Sequence, residues 1–206
     1  QIYVLPGINE DFNTRKVDNV EEIFKILQKN KGVIVLTLEM IYKTAEYIVE
    51  KCKKYNIRFI IDPGGIEKRK NYKKLLAGCY FLKPNEFETE ILTGIKVKDF
   101  KNAKLAGEKL LKLGVKNVLI TCGEKGGYFF SKGFSKHINI PEIKFKTQYR
   151  DETGCGDQVS AVITYGIVME KDIPEIVKEA IVAGSLQFYK KGIEPITREE
   201  IEKELL

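Results

Sequence analysis

The sequence predicts a three-layer α/β/α fold with a mostly parallel central sheet. Short runs of consecutive apolar residues, such as Val33-Ile-Val-Leu-Thr-Leu38, recur along the chain. Each is followed by a segment with helical apolar spacing, and the polar, Gly- or Pro-bearing breaks fall where the apolar runs end. Apolar runs without alternation are strands buried on both faces, and helices crossing over between parallel strands supply that cover. With 206 residues, a single domain would bury about 70% of its extended-chain surface. One α/β domain over 1–206 is therefore expected.

The elements follow in order. Ile2 to Leu5 reads as a short strand stopped by Pro6-Gly7, and Val17 to Gln28 has helical spacing. Val33 to Leu38 is a buried strand, Tyr42 to Tyr55 a helix, and Ile57 to Ile61 a strand ending in Asp62-Pro63-Gly64-Gly65. The alternation continues with a strand at Cys79 to Leu82, helices at Asn85 to Leu92 and Asp99 to Leu113, and a strand at Asn117 to Thr121. Gly126 to Phe130 adds an antiparallel strand, because the turn before it is too short for a crossover of about a dozen residues. From Thr153 the chain becomes helical, with helices at Asp157 to Met169, Ile173 to Tyr189 and Arg198 to Leu206.

Composition excludes several classes. The 43% hydrophobic content argues against disorder, and 31% charged residues argue against a membrane protein. No apolar stretch reaches the roughly 18 residues a bilayer span requires. The net charge is +6, but the positive residues are interleaved with Glu on candidate helices and Trp is absent. That pattern describes a solvated surface that permits anion binding, not a nucleic-acid face. Cys52, Cys79, Cys122 and Cys155 lack the close pairing of a zinc knuckle or redox site, and no secretory segment precedes them. Free thiols in a reducing, cytoplasmic compartment are expected. The single histidine, His137, lies on a candidate strand and reads as a satisfied structural residue.

In an open parallel sheet, ligands bind beyond the C-terminal strand ends. Four polar breaks fall there: Asp62-Pro-Gly-Gly65, Lys83-Pro-Asn-Glu-Phe-Glu88, Thr121-Cys-Gly-Glu-Lys-Gly-Gly127 and Asp151-Glu-Thr-Gly-Cys-Gly-Asp157. In the last, Gly154-Cys155-Gly156 presents successive backbone amides just ahead of an apolar-periodic helix, where they and the helix N-terminus stabilise phosphoryl charge. Asp157 then either caps the helix or accepts the proton of a substrate hydroxyl as that oxygen attacks the γ-phosphorus; the residues leave both roles open. Neither GxxxxGK[ST] nor a convincing GxGxxG or GxSxG is present, which argues against a P-loop NTPase, a dinucleotide dehydrogenase and an α/β-hydrolase.

The segment Asp151-Glu-Thr-Gly-Cys-Gly-Asp157, with Gln158-Val-Ser-Ala161 after it, resembles the DTTGAGD signature of the ribokinase-like carbohydrate kinases. Leu5-Pro-Gly-Ile-Asn9 resembles PGAN, Lys83-Pro-Asn-Glu-Phe-Glu88 resembles KPNxxE, and Thr121-Cys-Gly-Glu-Lys-Gly126 resembles TxGxxG. Lys191-Gly-Ile-Glu-Pro-Ile-Thr-Arg-Glu-Glu200 resembles the family's Gly- and Pro-bearing approach to a final helix. The resemblance covers nearly all of this chain and about the last two thirds of a usual member. It implies that the first βα elements, most of the small β lid and a Gly-Gly sugar-binding region would precede Gln1.

It also implies an activity: ATP-dependent phosphoryl transfer to a primary hydroxyl of a small sugar, most nearly of ribokinase type. A nucleoside kinase and a non-catalytic nucleotide-binding fragment are the alternatives. By resemblance Asp157 is the catalytic base at the substrate hydroxyl, and the amides of Gly154, Cys155 and Gly156 form the anion hole. Asn85 and Glu88 support phosphate-bound Mg²⁺ through water, unless they are simply an N-cap and a first-turn acid. Thr121, Gly123 and Gly126 line the nucleotide site. Asp62 shapes the phosphate region or caps a turn, and Gly184 lies near the nucleotide base or serves close helix packing. Glu39 contacts the sugar. Asp151 and Thr153 bind a monovalent cation such as K⁺ or stabilise their turn. A homodimer is implied if the complete lid is present. Cys155 and Glu152 depart from the family pattern, as does Gln158-Val159-Ser160, and a thiol near a helix start is expected to have a lowered pKa.

Overall fold

The alternation resolves into one six-stranded sheet in a computed structural model that describes Asn9, residues 11–68 and residues 70–206. Strands β1 (Val33–Thr37), β2 (Arg58–Asp62), β3 (Phe81–Leu82) and β4 (Asn117–Thr121) are parallel neighbours in chain order. β5 (Gly127–Ser131) and β6 (Phe134–Ile138) extend the sheet antiparallel, as the short connection requires.

A sheet laid down in chain order with crossovers of one hand sends every connecting helix to the same face. Helices α1 (Thr14–Asp18), α2 (Glu21–Lys29), α3 (Tyr42–Lys54), α4 (Lys73–Leu76), α5 (Glu86–Thr93) and α6 (Phe100–Lys112) precede β4. Val17, Phe24, Ile48, Leu75 and Leu110 from five of them form one core with Phe59, Ile61, Leu82, Val118 and Phe130. The opposite face is covered by helices that follow the sheet, α7 (Cys155–Val168) and α8 (Ile173–Gln187), before α9 (Arg198–Leu205) ends the chain. There Ile60, Phe81, Leu119 and Phe129 meet Val159, Ile163, Ile176 and Ala180. The strand residues therefore split by parity between two cores, the signature of a sheet buried on both sides.

Two local features differ from the sequence reading. The helix expected over Val17 to Gln28 is broken into α1 and α2, with Asp18 beside the break held by Tyr47 at 2.6 Å and Lys51 at 3.0 Å. A four-residue helix, α4, appears where no element was expected. The strand expected at Ile2 to Leu5 lies outside the described residues. The two sheet edges differ: β6 shows Ser135, Lys136 and His137 to solvent, whereas Val35 on β1 is 41% exposed. No helix of the described residues is long and apolar enough to cross a membrane.

Candidate active site

The parallel strands deliver two charges to one buried spot. Asp62 ends β2, Lys83 follows β3 directly, and both are nearly excluded from solvent. Lys83 Nζ lies 2.9 Å from Asp62 Oδ2, and Ser160 Oγ on α7 donates to the same oxygen at 2.7 Å. Buried charges persist only when paired and hydrogen-bonded. The triad therefore ties two strand ends to the first turns of α7.

Helix α7 starts above this triad. Gly154 is its N-cap with φ +79, a left-handed conformation that favours glycine. The Cys155 N–H turns back to Glu152 O at 3.2 Å, and Gln158 N–H bonds Gly154 O at 2.9 Å. The N–H groups of Gly156 and Asp157 have no acceptor among the described residues and open to the surface. A Cβ on Gly156 would sit 3.2 Å from Lys83 Nζ, so the buried ammonium lies just under the open amides. Helix N-terminus, free amides and lysine all favour an anion here. Asp157 is exposed and lines a cleft of about 550 Å³ with Thr37, Asp62, Ser160 and Tyr165.

Cys155 departs from expectation. Its thiol is pushed up to about 11 by burial and by the neighbouring Glu152 and Asp151 carboxylates. These outweigh the helix-start effect, so it is not a low-pKa thiol. All four cysteines are free.

The remaining residues take defined places. Asn85 and Glu88 form a reciprocal capping box: Asn85 Oδ1 accepts from Glu88 N–H and Glu88 Oε2 from Asn85 N–H, both at 2.8 Å. Burial raises the Glu88 pKa, opposed by the Asn85 N–H and by Lys83, and Asp62 raises it further. Glu88 is thus within electrostatic reach of Lys83 and Asp62. Thr121 ends β4 and bridges to Asn85, its N–H bonding Pro84 O at 2.9 Å. Gly123 opens a 3₁₀ turn, Gly123–Lys125, and Gly126 follows at φ +77, where a Cβ would collide with Ile138 O. Glu39 is exposed, its backbone packed over Gly65. Asp151 Oδ1 accepts from Thr153 N–H at 2.9 Å, an Asx turn. A Cβ on Gly184 would lie 2.7 Å from Val159 Cγ2 and 3.3 Å from Cys155 O, so this glycine serves the close packing of α8 on α7. His137 Nε2 bonds Lys125 O at 2.8 Å, as a structural histidine does.

The profile of the pfkB family carbohydrate kinases matches residues 1–198. The chain belongs to that family. Deoxyribokinase of Salmonella typhi is 27% identical over 191 residues, 93% of this chain and 60% of that protein. Ribokinase of Arabidopsis thaliana is 33% identical over 167 residues, 81% of this chain and 43% of that protein. The structure of Arabidopsis ribokinase complexed with ribose and ATP superposes with a TM-score of 0.77 at 29% identity, covering 89% of this chain and 58% of that one. This pfkB-family chain thus spans about 60% of the deoxyribokinase's length, and less than half of the plant ribokinase's.

Within this pfkB-family chain the structure gathers Asp62, Asn85, Glu88, Thr121 and the α7 turn at one sheet end, and Glu39 stands at the neighbouring strand end. It also reveals a role for Lys83 and Ser160, which lie in the motif segments but carried none there. Lys83 opens the Lys83-Pro-Asn-Glu-Phe-Glu88 block, and its place directly after a fully buried strand, where a solvated side chain has little room, is the signal that sets it apart.

Proposed function

We propose that this chain transfers the γ-phosphoryl group of ATP to a primary hydroxyl of a small sugar, in the manner of a ribokinase. The observation that carries the proposal is Asp157, exposed in the cleft beside open α7 amides that sit over the buried Lys83. Asp157 takes the hydroxyl proton while the sugar oxygen bonds to the γ-phosphorus and the bond to the β–γ bridging oxygen breaks, releasing ADP. The Gly156 and Asp157 amides, with Gly154 shaping the turn, hold the charge that spreads over the γ-oxygens. Glu39 faces the sugar side, and Thr121, Gly123 and Gly126 shape the nucleotide side.

Two cations belong to this proposal. The cap takes one lone pair of Asn85 Oδ1 and one oxygen of Glu88, leaving Glu88 Oε1 and the second Asn85 lone pair to contact Mg²⁺ through its water shell. Among the described residues no group of three His, Cys, Asp or Glu is placed to hold a metal outright. Bound Mg²⁺ would neutralise phosphate charge. A monovalent cation such as K⁺ would sit at the Asp151–Thr153 turn. Free thiols at all four cysteines support a reducing, cytoplasmic setting.

ADP release measured across ribose, 2-deoxyribose, fructose and adenosine tests the proposal. Turnover of a pentose is expected, and turnover of adenosine alone would move the protein to the nucleoside kinases. The alternative reading is nucleotide binding without transfer. ATP binding without ADP release on any acceptor would select it.

A further inference from the structure

One fully buried oxygen is without a partner among the described residues. Gln187, the last residue of α8, is 0% exposed, and its Nε2 donates to Gly192 O at 2.6 Å. That bond fixes the orientation of the amide and leaves Oε1 with no donor. A buried acceptor in this state calls for a hydrogen-bond donor or a cation.

Its surroundings belong to the turn that opens α7. The Gln187 amide lies 3.8 Å from the point a Cβ of Gly154 would occupy, directly against the cradle. The Asp151 N–H bonds Phe188 O at 3.0 Å, and the Asp151 carboxylate accepts from the Thr153 N–H at 2.9 Å. Loops 151–154 and 188–193 are thus stitched together around one carboxylate and one orphaned amide oxygen.

We propose that Gln187 Oε1 is a direct ligand of a K⁺ ion bound between these two loops, with Asp151 as the charged ligand. This rests on the proposal that the Asp151–Thr153 turn holds a monovalent cation, and it adds a side chain from α8 that no motif marks. One carboxylate among neutral oxygens suits a weakly hydrated monovalent ion, since neutral carbonyl-type oxygens replace its hydration shell. The ion would fix Gly154 from below and so aim the α7 amides, making Gln187 a positioning residue.

The decisive experiment is a crystal of the wild-type chain soaked in thallous ion, a K⁺ surrogate with strong anomalous scattering, beside melting curves in KCl and in tetramethylammonium chloride. An anomalous peak bonded to Gln187 Oε1 is expected. K⁺ should raise the melting temperature, and Gln187→Met should need at least tenfold more KCl for half of that shift. A peak at Asp151 with water on Gln187 Oε1, or an unchanged KCl midpoint in Gln187→Met, overturns the role of Gln187 and leaves the cation site standing. No peak and no K⁺-specific shift overturn both, while ADP release with ribose by the same protein shows that the kinase proposal survives. The crystal reads the wild type, so the outcome does not depend on whether the variant folds.

Discussion

Replacing Lys83 with Met should remove the counter-charge of Asp62 without removing bulk. At 2.9 Å the pair attracts by about 6 kcal/mol at an effective dielectric of about 20, most of which is offset by desolvation of both groups. After the substitution the Asp62 carboxylate, 12% exposed in its side chain, keeps only the 2.7 Å bond from Ser160. Breaking a buried pair from one side costs about 3–5 kcal/mol, which for a chain this long lowers the midpoint of thermal unfolding by roughly 6–15 °C. Asp62→Asn in the Lys83→Met background should recover about 2 kcal/mol, because a neutral amide still accepts from Ser160 and needs no cation. Urea unfolding followed by far-UV circular dichroism at constant m-value reads both steps. A loss under about 1 kcal/mol, as for an exposed pair, or a further loss on adding Asp62→Asn, would refute the reasoning.

Gly126→Ala, at φ +77 with its Cβ against Ile138 O, should cost about 3 kcal/mol or more. Gly133→Ala, at φ +75 in open space, should cost only about 1 kcal/mol in the same urea titration; equal costs would contradict the assigned clash. Burial raises the Glu88 pKa, so just above the ordinary carboxylate value the folded state keeps a proton that the unfolded chain has released. Stability then falls as pH rises through that window, and Glu88→Gln should remove this part of the slope in melts from about pH 4 to pH 8. Identical slopes would count against it. With Cys155 pushed up to about 11, about one thiol in a thousand is ionised at pH 8. Mass spectrometry after brief iodoacetamide treatment of the folded protein should find it unmodified, and rapid labelling would place it in a different environment.

What the sequence made legible follows from what each element spends its residues on. Asn117 to Thr121 was bounded to the residue because a buried parallel strand leaves an uninterrupted apolar run. β6 was foreshadowed only by His137, because four of its five residues are exposed and leave no apolar pattern. Four residues of α4 are too few to show helical period. The motif blocks located the strand ends and the α7 cradle and contain Lys83 and Ser160, but the bond that gives Ser160 its role reaches Asp62, 98 positions away, and no local pattern shows it. The Cys155 expectation failed because helix position was considered without burial and without Glu152 and Asp151. Gln187 ends a helix that also carries Glu175, Lys178, Glu179 and Ser185, and nothing local marks it as the buried one among them.

Asp157 carries the central proposal, and its substitution by Asn tests it most directly. The group is exposed at the helix start, so Asp157→Asn should leave the fold and Mg·ATP affinity within about twofold of wild type by calorimetry. The rate of γ-phosphoryl transfer from labelled ATP to ribose should fall by about 10²–10⁴-fold, the span that a positioned general base contributes. Equal transfer rates in wild type and Asp157→Asn would contradict the account.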